Sequence, residues 1–347
     1  VRRAAFEIGE TAVPPGGRAT LELSVGGLYT HTPLGMPVQV VHGRRDGPVV
    51  FVCAAVHGDE IIGVEVIRRL LRLGALGRLR GTLIAIPIVN VFGFHNRSRY
   101  LPDRRDLNRS LPGSKRGSIA ARLGHLFFDE IVRHCDLGVD IHSAAVHRDN
   151  LPQIRADLED PILRPLAAAF GAPVVLHSEP VEGTLRKAAV DLGIPVLVYE
   201  AGEALRFDEL AIRVGMRGVL NLLRRLGMLP ASKQKVTRPP AVLRSSVWVR
   251  AEQSGILRTL CPLGGAVTKG AVLGLISDPL GERETPITAP VDGVLIGRAN
   301  LPLVYAGEAL FHLGRTRNAD EVGRHMEALQ AEVDGESPDL RHDPPIV

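Results

Sequence analysis

Cysteine is scarce in this 347-residue chain, and Cys53, Cys135 and Cys261 stand singly with no CxxC spacing. That excludes a disulfide framework and a cysteine zinc knuckle, and leaves each as a small core residue. Aromatic residues make up only 4% of the chain and no dense basic run occurs. A nucleic-acid-binding surface is therefore not expected. There are five lysines, so positive charge is carried almost wholly by arginine, while the formal net charge is only +4. The arginine excess is read as genomic bias plus a few anion-binding positions. No apolar run approaches the roughly 20 residues a membrane helix needs, so the chain is expected not to span a bilayer. The start, Val1-Arg2-Arg3-Ala4, has neither an initiator Met nor an apolar signal core. It is read as a trimmed or processed terminus, with a cytoplasmic location as the default.

What is there fits a globular protein: 45% hydrophobic and 23% charged residues, at a length that suits one large domain plus a small one. Residues 1–37 alternate apolar and polar positions, as in Thr20-Leu21-Glu22-Leu23-Ser24-Val25, and read as a short β meander. From 38 to 229, strand-like segments (38–42, 49–55, 82–88, 136–141, 173–177, 194–200) alternate with helical patterns (59–73, 117–134, 160–170, 183–192, 206–226). Such alternation predicts a layered α/β domain around a largely buried sheet. Residues 230–240, rich in Pro and polar side chains, read as a linker.

An internal repeat lies beyond it. Gly255-Ile256-Leu257 with Val267, Gly270 and Leu273 is matched by Gly293-Val294-Leu295 with Val304, Gly307 and Leu310. Short strands with glycine turns, used twice, predict a small β barrel or sandwich over 241–314. The repeat resembles the biotinyl/lipoyl carrier fold, in which a hairpin lysine is covalently modified. Here the junction reads Ser277-Asp278-Pro279-Leu280-Gly281-Glu282, without lysine, so the shape is expected without the swinging arm. The tail, 315–347, reads as a short helix and a flexible end.

The chemistry-bearing pattern starts where the apolar run Val49–Val56 ends, at His57-Gly58-Asp59-Glu60. A buried strand ending in His-x-x-Glu puts an imidazole and a carboxylate at the edge where open α/β sheets bind ligands. That pair alone is common in proteins without metal. Catalytic zinc needs a third protein ligand and an open position for water. Asp140-Ile141-His142-Ser143, at the end of a second apolar run, supplies it, so that His57, Glu60 and His142 form a candidate His2Glu site. Between these strands lies Asp106-Leu107-Asn108-Arg109. The arginine fork and the neighbouring amide make a plausible carboxylate clamp from Asn108 and Arg109. Glu200 ends a third apolar run, Ile194–Tyr199, and is a candidate base, although most such glutamates cap a helix or face water.

Taken in order, His57-x-x-Glu60, Asp106-x-Asn108-Arg109, Asp140-x-His142 and Glu200-x-Gly202 resemble the succinylglutamate desuccinylase/aspartoacylase family, relatives of the zinc carboxypeptidases. The resemblance covers 38–229, and the carrier-like terminal domain is similar to what members of the family carry. It implies a three-layer α/β/α domain with a mixed sheet, plus the small all-β domain. It further implies one zinc ion per chain on His57, Glu60 and His142, Glu200 as general base, and Asn108 and Arg109 on the substrate carboxylate. Asp106 would stand behind the metal and accept a hydrogen bond from His57. Arg99 would face the developing oxyanion, with Arg97 and Arg104 close enough in sequence to compete for that place.

The implied activity is a zinc-dependent amidohydrolase that deacylates N-acyl amino acids or similar small carboxylated amides. One rival is a zinc carboxypeptidase acting on peptides or cell-wall fragments, which pocket depth would distinguish. Another is a non-catalytic binding or carrier module, against which the missing hairpin lysine counts. The expected partner is a small carboxylated amide rather than nucleic acid or membrane, and homo-oligomerisation stays open. The remaining histidines, His147 and His177 included, are read as structural.

Overall fold

The alternating residues near the amino terminus form β1 (Phe6–Ile8) and β2 (Thr11–Val13), paired with each other, then the long antiparallel hairpin β3 (Arg18–Gly27) and β4 (Pro33–His42). The computed structural model describes residues 3–231, 238–316 and 318–335. β5 (Arg45–Ala54) carries the apolar run that precedes His57. Its Val50, Val52 and Ala54 pack into one core while Phe51 and Cys53 pack into another. A strand buried on both faces belongs inside a sheet covered by helices on each side.

Those helices follow. α1 (Ile62–Leu71) precedes β6 (Arg80–Ile86), and the short α2 (Val91–His95) and α3 (Ile119–Glu130) precede β7 (Leu137–Ala144). β8 (Arg148–Ala156), α4 (Leu163–Phe170), β9 (Val174–His177), α5 (Leu185–Val190), β10 (Val196–Glu203) and α6 (Glu209–Arg225) complete this part. Buried residues of α1, α4 and α6 belong to one core and those of α3 and α5 to the other, giving helices on both faces of the sheet. Two departures from the expected elements matter. The helix expected from 59 starts only at Ile62, because 57–60 form the turn that presents the candidate ligands. β8 is absent from the expected strands: Pro152 and five polar side chains in Arg148-Asp149-Asn150-Leu151-Pro152-Gln153-Ile154-Arg155-Ala156 mask it.

Strands β11 (Ala241–Leu243), β12 (Ser246–Arg250), β13 (Gly255–Thr259), β14 (Ala266–Val267), β15 (Val272–Ser277), β16 (Glu284–Thr288), β17 (Gly293–Ala299), β18 (Leu303–Val304) and β19 (Ala309–Arg315) follow, then α7 (Ala319–Gly335). The sequence repeat corresponds to β13-β14-β15 and β17-β18-β19. Each half lends its short strand to the other, since β14 pairs with β17 and β18 with β13. The Ser277–Glu282 junction is a turn closed on Asp278, whose carboxylate accepts from Leu280 N and Arg283 N at 2.8 and 2.7 Å.

The main sheet runs β12-β19-β17-β8-β10-β7-β5-β6-β4-β3. β10, β7, β5 and β6 are mutually parallel, whereas β8 and β4 flank them antiparallel, so the sheet is mixed. Five strands of the chain's last third, β11, β12, β14, β17 and β19, are part of it, with β17 pairing with β8 and β11 with β9, whereas β16-β15-β13-β18 form a separate four-stranded sheet. Part of the expected linker (232–237) and the expected flexible end (336–347) lie outside the described residues.

Candidate active site

His57 follows β5 through a tight reversal in which Ala55 takes a left-handed φ of 50° and Glu60 N donates to His57 O at 3.1 Å. Gly58 lets this turn press on α2. A Cβ there would fall 2.0 Å from the Gly93 carbonyl carbon, so a larger residue would push the turn away. His142 stands within β7, and Glu200 is its partner on the neighbouring strand β10.

The sheet thus brings His57, Glu60 and His142 together, all buried, with one donor atom from each lying within 4.8 Å of the others. His57 Nδ1 is 2.7 Å from Glu60 Oε1, and His142 Nδ1 is 2.7 Å from Glu60 Oε2. The opposite ring nitrogens face carboxylates too, His57 Nε2 at 3.1 Å from Asp106 Oδ1 and His142 Nε2 at 2.7 Å from Asp140 Oδ2. Metal-ligating histidines carry this kind of support, which fixes the tautomer and aims the free nitrogen inward. The donor set, its burial and its outer carboxylates fit a divalent ion of the zinc type.

The charges of the three groups are coupled. Burial alone would depress the His142 imidazole, but Asp140 and Glu60 outweigh it and hold its pKa well above the ordinary value. His57 is raised likewise, against burial, by Glu60 and Asp106. Burial would raise the Glu60 carboxyl, yet the two imidazoles hold it far below the usual range. Glu60 is thus held ionised in a dry place by the two imidazoles beside it.

Arg99 reaches this cluster. Its Nη1 donates to Glu60 Oε1 and its Nη2 to Asp106 Oδ2, each at 3.0 Å. Of the three arginines in question it is the one that lines the cavity beside the cluster, whereas Arg97 and Arg104 do not line it. Asp106 also caps the turn that follows it, accepting from Asn108 N at 2.8 Å. Asn108 Oδ1 accepts from Leu185 N at 2.9 Å, so what that amide offers a ligand is its NH2 group. Arg109, exposed, donates from Nη1 to Asn108 O at 2.6 Å. Both line the same cavity of about 310 Å³ as His57, Glu60, His142 and Glu200.

Glu200 is held from β8: Asn150 Nδ2 donates to Oε2 at 2.8 Å, and Arg155 Nη1 lies 3.3 Å from Oε1. Sequence reasoning misses both partners, along with Arg148, Arg186, Trp248 and Arg298, which also line the cavity. Trp248 and Arg298 come from β12 and β17, so the chain's last third supplies part of the wall. Trp248 stacks on His312 with ring centroids 4.3 Å apart, and the Arg148 guanidinium lies 5.4 Å from its centroid. Asp140 belongs to the Asp-x-His motif but has no role in the sequence reading; its two-residue spacing from His142 is the available signal. His147 and His177 do not line the cavity. Among the described residues no helix is long and apolar enough to cross a membrane.

Comparison with known proteins follows the same lines. The model of the succinylglutamate desuccinylase/aspartoacylase catalytic domain matches residues 46–226. The N-alpha-acetyl-L-2,4-diaminobutyric acid deacetylase of Halomonas elongata is 27% identical over 288 residues, covering 79% of this chain and 84% of the relative. The ectoine utilization protein EutE (DoeB) of Ruegeria pomeroyi, in its product-bound structure, shares the fold with a TM-score of 0.78. That match has 24% identity and covers 86% of this chain and 95% of the other. A succinylglutamate desuccinylase/aspartoacylase from Rhodobacter sphaeroides gives a TM-score of 0.77 at 26% identity, over 86% and 96%. With the family model spanning more than half of it, the chain belongs to the succinylglutamate desuccinylase/aspartoacylase family, enzymes that hydrolyse linear, non-peptide C–N bonds.

Proposed function

We propose that this protein is a zinc-dependent deacylase of N-acyl amino acids or similar small carboxylated amides. The observation that carries the reading is the convergence of His57, Glu60 and His142 in one cavity with Glu200, Arg99, Asn108 and Arg109. His57, Glu60 and His142 would hold one zinc ion, whose Lewis acidity polarises an amide carbonyl and acidifies water. Glu200 accepts the proton of the attacking water and returns it to the leaving amine. Arg99, fixed by Glu60 and Asp106, donates to the oxyanion of the tetrahedral intermediate. Asn108 and Arg109 bind the substrate carboxylate.

Further arginines in the wall suit an anionic substrate. Arg186 bonds to Ser178 and Glu179 through their oxygens at 2.7 to 3.1 Å, and burial followed by the charge of Arg155 lowers its pKa. Trp248 and Arg298 line the cavity from the carboxyl-terminal strands, and its volume of about 310 Å³ favours small amides over the long peptides a carboxypeptidase would take. The acetylated diamino acid in the name of the Halomonas relative belongs to the proposed substrate class.

The test is metal analysis of the purified protein joined to a hydrolysis screen over N-acyl amino acids and short peptides. One zinc per chain with turnover of acyl amino acids is the expected result. A metal-free protein without hydrolytic activity would sink the reading, and faster turnover of peptides would move it to the carboxypeptidase.

A further inference from the structure

Asn150 occupies an unusual place. It lies on β8 between Gly202 of β10 on one side and Gly297 of β17 on the other, in register with both. Its side chain is buried, and its amide nitrogen donates to Glu200 Oε2 at 2.8 Å. Its amide oxygen points at Gly297, where a Cβ would lie 2.8 Å from Oδ1, closer than real Cβ atoms approach such an atom. The absence of a side chain at Gly297 is what leaves room for the Asn150 amide to stand in this orientation. At Gly297 the pairing of β17 with its other neighbour, β19, shifts register, and the His312 Cβ limits the space from that side at 3.3 Å.

We infer that Asn150 is a positioning residue for Glu200, and that Gly297, on a strand from the carboxyl-terminal third, sets it. This rests on the reading of Glu200 as the base. A glutamate carboxylate rotates freely about its last bonds unless its oxygens are held. Glu200 has each oxygen engaged by a β8 side chain, Arg155 on one and Asn150 on the other. With the Asn150 donor gone, Oε2 is free to swing from the place where it meets the attacking water. Arg155 alone does not define the carboxylate plane. At Asn150 β8 has β10 on one edge and β17 on the other, so the fit of β17 is passed to Glu200 through one amide.

The experiment compares wild type, N150A, G297A, the double variant N150A/G297A and E200Q. It uses thermal melts, metal content and kinetics on the N-acyl amino acid that the wild type turns over fastest. N150A is expected to lower kcat by about 100-fold, the scale of a misplaced catalytic group, with KM within about twofold and metal content unchanged. G297A is expected to lower both kcat and melting temperature, because its methyl group displaces the amide. The double variant should melt higher than G297A and turn over no more slowly than N150A, since the clash and the hydrogen bond share one side chain.

Additive losses in the double variant would overturn the link through Gly297, as would failure of N150A to restore the stability of G297A. That stability comparison holds even if G297A alone folds poorly. N150A with normal kcat, or with KM raised instead, would overturn the positioning role. Normal turnover by E200Q would instead sink the reading of Glu200 as base, a failure the other variants do not mimic.

Discussion

The two sides of the cavity are built differently. One side, the His57–Glu60–His142 corner, comes from β5 and β7, parallel neighbours in the middle of the sheet. Its side chains are buried and each is bonded to the next. The other side, carrying Asn150, Arg155, Trp248 and Arg298, comes from β8, β12 and β17, where strands distant in sequence meet. The first has its charges matched: two imidazoles around Glu60, with Asp106 and Asp140 behind them. The second has buried guanidinium nitrogens without a partner among the described residues, Arg155 Nε and Arg298 Nε. A matched corner suits a fixed ion, while an unmatched wall keeps hydrogen-bonding capacity for something that comes and goes.

That contrast can be broken or sharpened by mutation. The largest effect is expected from Glu200→Ala, which should lower kcat by up to about 10⁴-fold, the upper range for a general base, while elemental analysis still finds the metal. Loss of metal in this variant would erase the division between the two sides. Arg99→Ala should follow with a loss on the order of 10²- to 10³-fold in kcat if the guanidinium serves the oxyanion. A drop below tenfold would reduce Arg99 to a strut between Glu60 and Asp106. Asp140→Asn, read by metal titration, should weaken metal affinity by about 10- to 100-fold by removing the carboxylate behind His142. Unchanged affinity would mean that the corner does not need its outer carboxylates.

The smallest expected effect lies on the unmatched side and depends on pH. Asp149 lines the cavity, and burial, aided by Asp208 and Glu203, pushes its carboxyl up to about 6. The unfolded chain releases that proton near pH 4, so between about 4 and 6 the folded state holds more protons and stability falls as pH rises. Asp149→Asn should therefore be the more stable form at pH 7, by about 1 kcal/mol after allowance for solvent screening. The advantage should vanish in melts near pH 4. A variant equally stable at both pH values would show that Arg298 already neutralises the carboxylate.

The same contrast governs how much of the molecule is legible in its sequence. β5 and β10 contain the apolar runs Val49–Ala54 and Val196–Tyr199, and β7 breaks its apolar pattern at Asp140 and His142, so the polar residues that follow or interrupt them, His57, Glu60, His142 and Glu200, stand out. Asp106-x-Asn108-Arg109 is visible through its residue types, and the structure places it beside that cluster. β8 is hidden because Pro152 and its mixed polar pattern break the alternation that marks a strand. Trp248 and Arg298 give no signal: their place in the cavity depends on β17 meeting β8, a pairing between segments far apart in the chain. Local pattern carries no information about such contacts. The repeat in the last third is legible, but not the exchange of short strands between its halves.

The pairing of β17 with β8 also has a temporal side. The outer edge of β8 is closed by β9 along Gln153–Ala156 and by β17 along Arg148–Asn150. During synthesis residues 57–142 emerge before residue 297, and the Asn150 end of β8 keeps an open hydrogen-bonding edge until β17 is available to pair with it. The strand that completes the Asn150 side of the cavity thus comes later in the chain than the residues of the other side.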